Sequence, residues 1–264
     1  MANQIKKRVI AAVTATLIFA AVSSAAADKP VSANLHDTEA EALLKKMSDY
    51  MSGLKSLITD FYVFDEQIMG DGFKLSVLRS GSIKIRLPNK LYIARKGVLR
   101  DQEVFFDGSN LVVYGKNLGM IIDVPVKGDV DAALDVATDT FGAELPGRDI
   151  FSRDAYKPLM DAITESISLG SVKIGDAICR QLAFRTDEVD LQLWVREGDQ
   201  PLPCRYTITS KWTFGAPQYT VTFSNWQVNQ ELPDSDFTFT APAGIQKTTV
   251  DTFRKALEQK GDKK

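Results

Sequence analysis

Histidine occurs once in the 264 residues, at His36, and cysteine only twice, at Cys179 and Cys204. A lone imidazole near the N-terminus removes the Ser-His-Asp and Cys-His arrangements, which need a base beside the nucleophile. It removes HExxH zinc sites as well. No Walker loop, Gly-x-Ser-x-Gly elbow or dinucleotide fingerprint occurs. Ser52 to Lys55 (SGLK) matches the Ser-x-x-Lys pattern of penicillin-recognising enzymes, but the companion Ser-Asp-Asn and Lys-Thr-Gly elements are missing. With 32 basic and 34 acidic residues and no basic block, the chain is a poor partner for nucleic acid, whose affinity comes from neutralised phosphates. After Ala27 no run is long and apolar enough to cross a bilayer.

The first 27 residues are different in kind. Lys6, Lys7 and Arg8 precede the apolar run Val9–Ala27, which ends in small residues. That order describes a secretory signal peptide cleaved after Ala27. The run is rich in Ala, Ser and Thr rather than Leu, which favours cleavage over a retained anchor. No cysteine lies near the junction to carry a lipid. Cleavage removes three basic residues and no acidic ones, leaving 29 basic against 34 acidic, a balance of −5. The expectation is an exported periplasmic protein without a stable membrane anchor.

Residues 37–57 read as a helix opened by a Thr38-x-x-Glu41 capping box, with Ala40, Leu43, Leu44, Met47 and Met51 on one stripe. From Phe61 the period becomes two. Phe73, Leu75 and Val77 alternate with Lys74 and Ser76, and Ile83 and Ile85 with Lys84 and Arg86. Segments 61–69, 73–80, 81–87, 90–97, 103–108, 110–116 and 119–126 therefore read as antiparallel strands with one wet and one buried face. Residues 129–142 and 153–167 read as two modest helices, with Pro158 in a first turn or at a break. Strands return at 171–176, 177–186, 189–197, 204–212, 218–228 and 237–242. No repeat or linker divides the chain, so 38–247 reads as one domain, after a flexible 28–37 and before a charged tail, 248–264, that frays.

A long sheet with one apolar face must be covered, and a sheet of this many strands curls. The expected fold is α+β: a strongly curved antiparallel β half-barrel, with the N-terminal helix and two middle helices covering the concave face. Phe73, Leu75, Ile83, Ile85, Phe106, Leu111 and Val113 are the candidate lining of an apolar cavity there. They are equally suited to an ordinary core, as are Trp194, Trp212 and Trp226.

Acidic groups cluster at Asp65-Glu66, Asp187-Glu188-Asp190 and Asp234-Ser235-Asp236, where turn chemistry explains them better than catalysis or calcium. Asp107-Gly108-Ser109-Asn110, between two apolar runs, reads as a hairpin connection. Export favours a Cys179–Cys204 disulfide. A plain three-strand meander instead puts the two cysteines about 9–10 Å apart, beyond bonding reach, unless a bulge shifts the register.

Three stretches in order, Gly81–Ile93 (GSIKIRLPNKLYI), Phe105–Lys116 (FFDGSNLVVYGK) and Asp234–Gln246 (DSDFTFTAPAGIQ), resemble the LolA-like periplasmic lipoprotein carriers. Cys179–Pro203 is similar to an uncharacterised branch of predicted periplasmic proteins within that superfamily. The resemblance spans about residues 38–246. It implies a half-barrel with helical lids over a hydrophobic cavity that takes a lipid or a lipoprotein acyl chain, or an envelope sensor that docks another protein. It implies no cofactor, metal or catalytic residue. In the carriers an arginine after Pro-Asn holds the lid closed. Tyr92 stands at the corresponding position here, so it is the candidate lid contact and the carriers' gating does not transfer.

Overall fold

The computed structural model describes residues 35–98, 100–141, 145–151 and 156–261, so the expected signal peptide and most of the expected flexible segment lie outside the described residues. In chain order, α1 (Thr38–Ser52) is followed by β1 (Ser56–Ile68), β2 (Lys74–Arg86), β3 (Lys90–Gly97), β4 (Asp101–Phe106), β5 (Asn110–Gly115) and β6 (Met120–Pro125). Helices α2 (Val130–Phe141), α3 (Arg148–Phe151) and α4 (Tyr156–Ala162) come next. Strands β7 (Glu165–Ile174), β8 (Ala177–Arg185), β9 (Val189–Arg196), β10 (Pro203–Ser210) and β11 (Gln218–Val228) complete the second half, before β12 (Gln246–Lys247) and α5 (Val250–Gly261).

The strands form one open, curved sheet in the order β12-β6-β5-β4-β3-β2-β1-β11-β10-β9-β8-β7. Two antiparallel meanders, β1–β6 and β7–β11, join through the β1–β11 pair. Only β12 runs parallel to its neighbour β6. The helices cover one face, as the half-barrel expectation requires.

Alternation in β2 through β5 puts Ile83, Ile85, Leu91, Ile93, Val104, Phe106, Leu111 and Val113 on the helix-covered face, where all are buried. Val130, Ala133, Leu134, Ala137 and Phe141 of α2 belong to the same core. Alanine at two successive turns lets the helix lie close to the sheet and fill this half of the concavity.

Several boundaries differ from expectation. Segments 73–80 and 81–87 are one strand, because Gly81 is a close-packing site rather than a turn. A Cβ there would stand 2.6 Å from the Phe61 ring and 1.9 Å from the Ala94 carbonyl oxygen. The second middle helix is shorter than expected, and residues 165–167 begin β7. Helix α1 is capped by Asp37, not Thr38, because the Asp37 carboxylate reaches the backbone N–H groups of both Glu39 and Ala40.

The C-terminal segment shows the largest differences. Residues 237–242 form no strand: a 3₁₀ turn at Asp234–Phe237 leads into a crossing of the sheet's other face. Phe237 is fully buried, with the Arg86 guanidinium over its ring, and Phe239 lies between Phe105 and Tyr114. Part of the face expected to be wet is therefore covered. The chain then pairs with the edge strand β6 and returns to the helical face as α5. There Phe253 is fully buried, so the tail is a packed helix where fraying was expected.

Candidate functional site

The half of the helix-covered face that α2 does not fill holds a cavity of about 520 Å³. Leu191 and Leu193 of β9 and Tyr206 and Ile208 of β10 form its floor. Its walls are Leu44 and Met47 from α1, Ile150 from α3, and Tyr156 and Leu159 from α4. Helix α4 has only seven residues and none is fully buried, so it roofs the space without filling it. Pro158 stands in its first turn, one of the two placements expected.

Polar groups sit mainly at one end. Thr186 and Glu188, in the turn between β8 and β9, line the cavity, as does Ser48 of α1. The Thr186 hydroxyl accepts from the backbone N–H groups of Glu188 and Val189, so the turn satisfies its own polar groups. Lys45 lies 5.5 Å from the Tyr156 ring centroid on the helical side. Tyr206, on the cavity floor, joins Phe223, Phe151 and Trp226 in an aromatic cluster with centroid separations of 5.5–6.2 Å.

None of the seven candidate lining residues reaches this cavity. Ile83, Ile85, Phe106, Leu111 and Val113 are buried under the helices as ordinary core. Ile85 touches only a second space of about 40 Å³, too small for more than water. Leu75 is part-exposed, and Phe73 lies 61% exposed just before β2, at the tip of the β1–β2 hairpin. Both lie beyond the part of the sheet that helices cover. Leu44 and Met47 belong to the predicted stripe of α1, and Leu191 and Leu193 to the alternation of β9. What was not legible is that α2 is the helix that fills its half.

Tyr92 makes no lid contact. It lies on the opposite face, where its hydroxyl donates to Glu103 at 3.0 Å and its ring packs on Phe105, 4.9 Å away. Burial, then the Glu103 carboxylate, pushes its phenol above the usual range.

Cys179 and Cys204 are joined, with Cα atoms 6.6 Å apart. The plain-meander distance fails because the β9–β10 register slips between Pro203 and Arg205, and Cys204 is the extra residue. The bridge then closes across the end of β9, where Cys179 pairs with Arg196.

Five members of the acidic clusters are in ion pairs: Asp65 with Arg79, Glu66 with Lys74, Asp190 with Arg185, Asp234 with Arg86 and Lys90, and Asp236 with Lys84. Among the described residues no group of His, Cys, Asp and Glu is placed to hold a metal ion. The Asp107–Asn110 stretch is the expected hairpin turn. The Asp107 carboxylate accepts from the N–H groups of Ser109 and Asn110, and Gly108 has φ of 94° with Asn89 packed beneath it.

Several solved structures are similar in arrangement. Lipoprotein LppX of Mycobacterium tuberculosis is 14% identical over 75% of this chain and 98% of its own, with a TM-score of 0.45. A LolA superfamily protein of Nitrosomonas europaea is 13% identical over 76% of this chain and 97% of its own, with a TM-score of 0.38. MucB of Pseudomonas aeruginosa, seen in complex with MucA, is 11% identical over 77% of this chain and 62% of its own, with a TM-score of 0.43. No curated protein matches the chain. A family profile matches residues 40–251, and the chain belongs to that family, described as predicted periplasmic protein (DUF2092).

Proposed function

We propose that this protein is a non-enzymatic periplasmic binder of a lipid or of a lipoprotein's acyl chain, held in the cavity between α1, α3, α4 and strands β9 and β10. The observation that carries the proposal is the cavity itself, about 520 Å³ with a mostly aliphatic and aromatic lining. That volume lies within the roughly 300–1,000 Å³ typical of ligand pockets. Each methylene moved from water into it contributes about 0.8 kcal/mol without any directed contact. The polar Thr186–Glu188 turn at the β8–β9 end suits an amphiphile whose head stays there. The family description, predicted periplasmic protein, supports the compartment named in this reading.

The test is extraction of protein purified from a periplasm, with mass spectrometry of the extract and titration of the emptied protein with a fluorescent fatty acid. Co-purifying acyl lipid and saturable binding at one site are expected. An empty protein that also ignores the fatty acid would sink the proposal.

A further inference from the structure

Two hairpin tips meet at one end of the sheet and expose large apolar side chains. Trp212 is 75% exposed and Phe214 77% in the β10–β11 connection, and Met69 is 47% exposed beside Phe73 in the β1–β2 connection. The tips touch: the Phe214 ring lies over Gly72, and Ile68 packs against Gly215. The backbone N–H of Gln218 donates to Glu66 at 2.9 Å, tying the two hairpins together. Four such side chains on adjoining loops form a protruding apolar patch, which needs an explanation where a single exposed apolar residue would not.

We infer that these adjoining tips are a bilayer-docking surface that enters the headgroup layer of a zwitterionic membrane beside the mouth of the cavity. The Trp212 indole N–H already donates to the Asp187 carbonyl at 2.8 Å, so the ring can leave water without abandoning a donor. Asp187 belongs to the same turn whose Thr186 and Glu188 line the cavity, and Lys211 holds that turn by donating to the Thr186 carbonyl. Docking therefore brings the cavity's polar end to the lipid surface.

The surrounding charges complement a zwitterionic layer. Lys211 lies 5.4 Å from the Trp212 ring centroid and Lys74 pairs with Glu66, while Asp71, Asp187 and Glu188 supply the other sign. Two lysines against four carboxylates leave no basic field to select an anionic membrane, so a zwitterionic surface is the fitting one. Protruding rings also suit a fluid interface, where aromatic side chains settle at headgroup depth. The inference extends the lipid-binding reading without requiring it, since a protein with an empty cavity would still dock.

Flotation with phosphatidylcholine vesicles, and with phosphatidylethanolamine–phosphatidylglycerol vesicles, tests the inference at low and at raised salt. The protein is expected to float with both and to remain bound in salt. Phe73→Ser with Phe214→Ser is expected to lower binding roughly tenfold or more while leaving fatty-acid uptake by the cavity unchanged. In the intact protein, lipids brominated on their acyl chains should quench tryptophan emission, and Trp212→Phe should lower that quenching, a readout that does not depend on the serine variant folding. Absence of flotation, binding confined to anionic vesicles and lost in salt, or quenching unchanged by Trp212→Phe would each overturn the inference. So would a dimer in sedimentation that dissociates in the serine variant, which would assign the tips to a second copy of the chain.

Discussion

Phe253 of α5 meets Phe141 at the end of α2 edge to face, with ring centroids 5.9 Å apart and planes at 88°. Both rings are buried. Phe253 also rests on β5, where a Cβ on Gly115 would come within 3.3 Å of the ring. The tail thereby presses α2 onto β4–β6 and closes that half of the concavity. The open cavity is left to the other half, under α1, α3 and α4.

Phe253→Ala is accordingly expected to destabilise the fold by about 3–5 kcal/mol, the usual cost of emptying a large aromatic site. Ending the chain after Lys247 should cost at least as much. Urea denaturation checks both. A midpoint within experimental error of wild type would mean that the tail contributes nothing to the core.

Filling the cavity separates binding from stability. Leu191→Trp places a ring where several methylenes would lie, and fatty-acid affinity should fall roughly tenfold or more. Leu111→Ala, under α2, should cost about 2–5 kcal/mol of stability and leave affinity unchanged. Fluorescence titration and denaturation of both variants decide the matter. The reverse pattern would return the cavity to the α2 half.

Much of the fold is legible in local periodicity. The alternation in Ile83–Ile85 and Leu191–Leu193 identifies the buried face in both halves of the sheet. The sequence does not say which half a helix fills, since that depends on how closely Ala133 and Ala137 allow α2 to approach. The tail's charged composition hides Phe253, a fully buried anchor held by two distant elements. Gly81 looks like punctuation until the ring of Phe61 is placed opposite it. The disulfide depends on a one-residue slip at Cys204 that no pattern in the strand announces.

Removing that disulfide with Cys179→Ala and Cys204→Ala should cost about 3 kcal/mol on the loop-entropy account, given a separation of 25 residues. Because Cys179 and Cys204 lie outside the cavity lining, fatty-acid affinity should persist under conditions where the variant remains folded. Thermal melts with and without reductant check the first statement and titration the second. A loss of affinity in the folded variant would show that the end of β9 governs the cavity.

Asp37 couples the helix over the cavity to the sheet edge. One carboxylate oxygen caps α1, and the other accepts the Ser168 N–H of β7 at 2.9 Å. The Ser168 N–H is the largest cause holding the Asp37 carboxyl below its usual range; burial opposes it, and the Ala40 and Glu39 N–H groups lower it further. A carboxyl lowered in the folded state stabilises fully above the ordinary value of about 3.9, and that contribution is lost as pH falls through the folded value. Asp37→Ala should cost about 0.5–2 kcal/mol at neutral pH and flatten the acid side of the stability profile. Asp37→Asn should keep most of the cap yet lose the same acid dependence. Urea denaturation across a pH series, with amide exchange at Ala40 and Ser168, tests this. Identical acid profiles for wild type and both variants would show that the carboxylate does not hold α1 to β7.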